Sequence, residues 1–137
     1  MTLLKMEQIT KVFPGVRAND GISFDLQARE IHALVGENGA GKTTLMKILY
    51  GLQRPDSGTI YLKQQPTSIR NPRDAIAQGI GMVHQHFMLV ESLTVAENII
   101  LGMKPSGLSM DLESVSAEIE ALSKPYRIHD DPKPYIW

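Results

Sequence analysis

The sequence predicts an α/β fold in which an antiparallel β region precedes a strand, a glycine loop and a helix built around phosphate. Three observations carry this. Ile22, Phe24 and Leu26 alternate with Ser23, Asp25 and Gln27, the period of a half-buried antiparallel strand. Ile31-His32-Ala33-Leu34-Val35 is a short apolar run ending in glycine, as expected of a strand buried on both faces of a parallel sheet. Behind it, Leu45, Ile48, Leu49 and Leu52 recur at helical spacing.

Each element has its own signal. Leu4 and Met6, set between Lys5 and Glu7, predict an earlier strand, with turns at Pro14-Gly15 and Asn19-Asp20-Gly21. Gly51 and Pro55 close the helix after the glycine loop. Gly58 to Leu62 reads as a strand, a short helix follows around Arg73 to Gln78, and Ile80 to His84 reads as a further buried strand. Thr94 and Glu97 have capping-box spacing before a helix from Val95 to Leu101, with Gly102 as its stop. Asp111 caps a last helix whose Leu112, Val115, Ile119 and Leu122 form one stripe before Pro125, and Asp130 to Pro134 reads as loop.

Composition narrows the function. The 137 residues hold 14 Lys and Arg against 15 Asp and Glu, so no broad field draws nucleic acid or an anionic membrane. The absence of cysteine excludes disulfides, thiolate zinc sites and cysteine nucleophiles, and fits a reducing compartment. Charges in Met1 to Glu7 interrupt any secretory h-region. The longest uncharged run, Ala75 to Val90, contains two glycines, two glutamines and two histidines, too polar for a bilayer helix. A soluble cytoplasmic chain is expected.

Gly36-Glu37-Asn38-Gly39-Ala40-Gly41-Lys42-Thr43 has the P-loop pattern of two glycines five apart followed by Lys and Thr. Glycine lets the backbone take positive φ and approach phosphate oxygens, where successive N–H groups form a nest at a helix N-terminus. Lys42 brings a mobile positive charge to the β and γ phosphates, and the Thr43 hydroxyl is a hard ligand suited to Mg²⁺. The alternative is a glycine-rich turn that matches by accident. Its position between an apolar run and a helix favours the phosphate reading.

The P-loop alone names no reaction. Gly36 to Thr44, preceded by Phe24-Asp25-Leu26 and Glu30-Ile31-His32-Ala33-Leu34-Val35, closely resembles the nucleotide-binding domain of ATP-binding-cassette (ABC) transporters. Gly51-Leu52 through Pro55-Asp56-Ser57-Gly58 resembles the segment after that family's P-loop helix, and Gly81-Met82-Val83-His84-Gln85 its Q-loop strand. His86 to Val90 with Leu93 to Ile99 is most similar to ATPase subunits of bacterial simple-sugar and nucleoside importers, and the likeness runs from about Leu3 to Trp137.

The resemblance implies a P-loop NTPase core with an N-terminal antiparallel β subdomain over about 1–30, the P-loop strand and helix over about 31–52, a Q-loop region over about 80–102 and the start of a helical subdomain over about 109–137. It puts ATP and Mg²⁺ in the site. Phe13 takes the aromatic place that stacks on adenine. Gly36, Asn38, Gly39, Ala40, Gly41, Lys42, Thr43 and Thr44 wrap the triphosphate, Thr43 and Gln85 reach Mg²⁺, and Gln85 and Lys42 act on the reacting phosphate and water. The implied partners are membrane permease subunits, a second nucleotide-binding domain and, indirectly, a substrate-binding protein, with the ATPase peripheral on the inner face of the membrane.

Other residues imitate sites. His84 and His86 alternate as metal ligands could, without a third His or Cys ligand in view; His32 reads as a hydrogen-bonded core residue. Phe87 to Glu91 imitates a Walker B strand but follows Gln85 directly and lacks the Asp-Glu pair. Gln64-Gln65 and Arg127 stand where relatives usually have turn glycines. The family's signature segment, Walker B pair and switch histidine are absent from these 137 residues, so the fold expected is one cut before those motifs, marginally stable alone, binding ATP without efficient hydrolysis. A non-catalytic interaction module or an inert truncated product is the rival expectation.

Overall fold

The computed structural model describes residues 1–85, 89–101 and 112–126. The predicted helix stop at Gly102, the cap at Asp111, the loop at Asp130 to Pro134, and His86, Phe87, Met88 and Arg127 lie outside them. The chain divides into two compact units, Met1–Val83 and His84–Trp137.

In the first unit β1 (Thr2–Phe13) and β2 (Val16–Gln27) form a long hairpin across the predicted Pro14-Gly15 turn. β3 (Ser57–Leu62) pairs with the other edge of β1, and β4 (Gln65–Thr67) with β3, giving the antiparallel order β2-β1-β3-β4. On β1, Leu4 and Met6 face the core at the strand period, which would next turn Gln8 inward. A bulge intervenes: Gln8 has φ 52° and the register shifts between Met6 and Ile9, so Ile9 becomes the next buried residue. Gly58 lets β3 pass this bulge, since a Cβ there would lie 2.5 Å from the Gln8 carbonyl oxygen.

The helix α1 (Lys42–Leu49) lays Leu45 and Ile48 against Leu4, Met6, Ile9 and Ile60, and Ile69 and Ala75 close the cluster. Met6, Ile9 and Ile48 have no accessible surface, and each such side chain contributes about 1.5–3 kcal/mol by leaving water. The α2 helix (Pro72–Ala77) starts at Asn71, whose side chain accepts the Asp74 N–H, and at Pro72, whose fixed φ suits a first turn.

Four expectations are corrected. Asn19-Asp20-Gly21 is not a turn between strands; it is a bulge inside β2, where the pairing passes from Ile9 with Ile22 to Lys11 with Asn19. Ile31 to Val35 and Ile80 to His84 are not strands. An apolar run of this kind is held by parallel neighbours, and every pairing in the described sheet is antiparallel. Ile31, Val35 and Val83 are 99%, 89% and 88% exposed. His32 is therefore not a core residue: it is exposed, 3.4 Å from a Glu30 carboxylate oxygen and tilted against the Phe24 ring. Gln64, standing where a turn glycine is usual, lies in the β3–β4 turn, where Lys63 and Gln64 both take positive φ, 48° and 67°, in a tight hairpin that usually holds glycine.

In the second unit α3 (Val95–Ile100) starts with the predicted capping box: the Thr94 hydroxyl accepts the Glu97 N–H and the Glu97 carboxylate accepts the Thr94 N–H. Asn98 fastens the preceding loop, donating to the carbonyls of Val90, Leu93 and Thr94 and accepting from the Val90 N–H. The α4 helix (Leu112–Ser123) gives way to a 3-10 turn at Lys124–Tyr126, where Pro125 was expected to stop it. Of its stripe, Val115 and Ile119 are half-buried while Leu112 and Leu122 are exposed.

Candidate functional site

The predicted phosphate loop runs from Gly36 into α1. Gly41 is the N-cap residue in the left-handed region at φ 84°, and a Cβ there would lie 2.0 Å from the Ala18 carbonyl oxygen, so only glycine fits. Its carbonyl receives the first helical bond, from the Leu45 N–H at 2.9 Å. That leaves the N–H groups of Lys42, Thr43 and Thr44 as the orphan donors of the first turn, and among the described residues no side chain caps them. Gly39 also has positive φ, and the Ala40 N–H to Glu37 carbonyl bond closes the turn between.

Lys42 folds back into this loop. Its ammonium donates to the carbonyls of Gly36 and Glu37 at 2.6 and 2.7 Å, so the charge sits within the ring of backbone that the N–H donors edge. Thr43 is exposed at the helix start and Thr44 is half-buried. A left-handed glycine cap, uncapped first-turn donors, an inward lysine and an adjacent hard hydroxyl form a donor set that fits a phosphate with its magnesium.

Two positioning contacts escaped the sequence. Asn19, read there as a turn residue, is 4% exposed and donates its amide to the Gly41 carbonyl at 3.2 Å, tying β2 to the loop. Its Oδ1 has no hydrogen-bond partner among the described residues. Asp56, in the segment after the helix, accepts from the Lys11 ammonium at 2.9 Å and from the Val12 N–H at 2.7 Å, while its own N–H donates to the Thr10 carbonyl. These contacts hold its carboxyl below the usual carboxylate range, the Lys11 side-chain bond most of all and the Val12 N–H next. A buried Asn beside a cap glycine and an Asp after a helix-ending Pro are ordinary turn residues by type, so no pattern marks them.

Phe13 stands at the end of β1, half-buried, with the Lys11 ammonium 5.5 Å from its ring centroid. Gln85 belongs to the second unit and is exposed on a bend two residues beyond Val83. A concavity of about 350 Å³ in the first unit, lined by residues that include Arg54, Thr59, Ser68 and Arg70, shares none of the predicted site residues. Among the described residues no group of His, Cys, Asp or Glu is arranged to hold a metal ion, so His84 forms no such cluster with them.

Residues 19–136 match the ABC transporter family. The chain belongs to that family. It is 47% identical over 134 residues, or 96% of its length, to the guanosine import ATP-binding protein NupO of Bacillus subtilis, and 61% identical over 99 residues, or 72%, to the glucose import ATP-binding protein TsgD13 of Haloferax volcanii. It spans only 26% and 18% of those relatives. Its fold matches a nucleotide-free ATP-binding cassette from an ABC transporter with a TM-score of 0.78 and 25% identity, covering 96% of this chain and 58% of that one. The fold class is thus the α/β nucleotide-binding domain of this family.

Proposed function

We propose that residues 1–137 bind ATP with Mg²⁺ and form the phosphate-holding part of an importer ATPase for simple sugars or nucleosides. The supporting observation is the left-handed Gly41 cap with Lys42 turned into the loop and three first-turn N–H groups left for a ligand. The names of the relatives supply the importer class. In this reading Gly36 and Asn38 to Thr44 wrap the triphosphate, Thr43 approaches the magnesium ion, and Phe13 stacks on the base. The metal neutralises charge that the phosphates carry. Lys42 exchanges its two carbonyl bonds for phosphate oxygens, and Asn19 keeps the Gly41 carbonyl aimed away from them.

Permease subunits, a second nucleotide-binding domain and a substrate-binding protein are the proposed partners, and the permease holds the ATPase on the cytoplasmic face of the membrane. No helix among the described residues is long and apolar enough to cross a membrane. Hydrolysis that drives transport belongs to an assembly containing the Asp-Glu pair and signature segment that these residues lack.

Magnesium and ATP at about 100 times the dissociation constant should stabilise the chain by about 2.7 kcal/mol, read as a rise in melting temperature, and Lys42→Ala should abolish that rise. An equal rise in Lys42→Ala refutes the site. Magnesium-dependent phosphate release by residues 1–137, lost in Lys42→Ala, refutes the separation of binding from hydrolysis.

A further inference from the structure

Phe13 is the last residue of a strand, where a side chain has few neighbours to fix it. Two contacts do so. The Lys11 ammonium lies 5.5 Å from the ring centroid, and the same ammonium is held 2.9 Å from an Asp56 oxygen. The other Asp56 oxygen takes the Val12 N–H at 2.7 Å, and the Asp56 N–H returns to the Thr10 carbonyl at 2.8 Å. Thr10, Lys11 and Val12 are thus all fastened to one residue immediately before Phe13. Asp56 immediately precedes β3, the strand that follows the phosphate-loop helix, so it links the end of β1 to the segment leaving α1.

We propose that Lys11 and Asp56 are positioning residues for the nucleotide base: Asp56 fixes the Lys11 ammonium against the Phe13 ring and holds that ring ready to stack. The inference rests on the reading of Phe13 as the base platform. Lys11 is suited to the part because its side chain is 14% exposed and its charge is already met by Asp56, so it need not turn to the phosphates. Held by the cation, the half-buried ring loses little freedom when a base arrives. The pair should therefore act on affinity for the base and leave affinity for the phosphate chain alone.

The experiment compares ATP with inorganic tripolyphosphate, each with Mg²⁺, by calorimetric titration of the whole chain, the fold of each variant being checked by circular dichroism. Lys11→Met should weaken ATP binding about two- to fivefold, the range of one exposed cation–π contact, and leave tripolyphosphate binding unchanged. Asp56→Asn should do the same more weakly, and Lys11→Arg, which keeps both the ion pair and the ring contact, should restore ATP binding. Equal loss for both ligands overturns the inference, since it marks either general loosening or a phosphate contact. Unchanged ATP binding by a folded Lys11→Met chain overturns it too. An original chain that binds neither ligand overturns the ATP reading as well, whereas binding of both with an unmoved ratio sinks the inference alone. If Lys11→Met fails to fold, Lys11→Arg and Asp56→Asn decide it by the same ratio.

Discussion

The segment Ile31 to Val35 is richer in apolar residues than the hairpin of β1 and β2, yet it is the hairpin that pairs. The hairpin needs only a Pro-Gly turn to bring its strands together, and every step of its pairing lies close along the chain. Ile31 to Val35 has no such local partner. It leads into the phosphate loop without strand pairing and with Ile31 99% exposed, while Leu45 and Ile48, on the helix beyond that loop, are buried against the hairpin. Local patterning can therefore complete an antiparallel sheet and a helix cradle, whereas a parallel strand waits on neighbours supplied from elsewhere.

The sharpest test of this contrast is the core that the hairpin and α1 share. Ile48→Ala should cost about 3–4 kcal/mol in urea unfolding, because Ile48 has no accessible surface and its neighbours come from several elements. A loss below about 1 kcal/mol would mean that the hairpin and helix are not one cooperative unit.

Next comes the junction between the two regions. Gly41→Ala must displace the Ala18 carbonyl or force a left-handed alanine, and about 2–3 kcal/mol should be lost together with ATP-dependent stabilisation. Retained stability and retained nucleotide response would show that β2 does not clamp the loop.

The capping box of the second unit is a purely local device, and its effect should be smaller. Thr94→Ala should cost about 1 kcal/mol, read as roughly fivefold faster amide exchange from Glu97 to Leu101. Bonds from the Thr94 N–H first, and then from its hydroxyl, hold the Glu97 carboxyl below the usual carboxylate range. Its folded value is depressed, so the cap contributes fully at neutral pH and is lost as the pH falls through that range. Exchange from α3 that does not quicken between neutral and acidic pH, after correction for intrinsic rates, would contradict this.

The sequence made legible what is encoded nearby. The glycine pattern located Gly41 and Lys42, Pro14-Gly15 located the hairpin turn, and Thr94 with Glu97 located the start of α3, because in each the residue type is demanded by its own backbone. Asn19-Asp20-Gly21 misled for a physical reason: the same residues serve a turn or a bulge, and only the pairing of Lys11 with Asn19 decides between them. Lys11 and Asp56 were invisible because their meeting depends on β3 returning to β1 across α1, a contact of 45 residues' separation. Apolar character alone could not show whether Ile31 to Val35 would find partners.

The smallest expected effect completes the comparison. Ile31→Ser should leave the urea midpoint within about 0.5 kcal/mol of the original chain, because a side chain that is 99% exposed gives up almost no burial when it becomes polar. The same change at Ile60, which is 5% exposed in the shared core, should be destabilising by several-fold more. Aggregation should respond differently from stability. Ile31 and Val35 display bare apolar surface on backbone whose strand bonds are unmade, so Ile31→Ser combined with Val35→Ser should slow light-scattering growth while leaving the midpoint in place. If instead the Ile31→Ser midpoint falls by more than about 1 kcal/mol, the segment is packed in solution, and its burial is encoded within these residues after all.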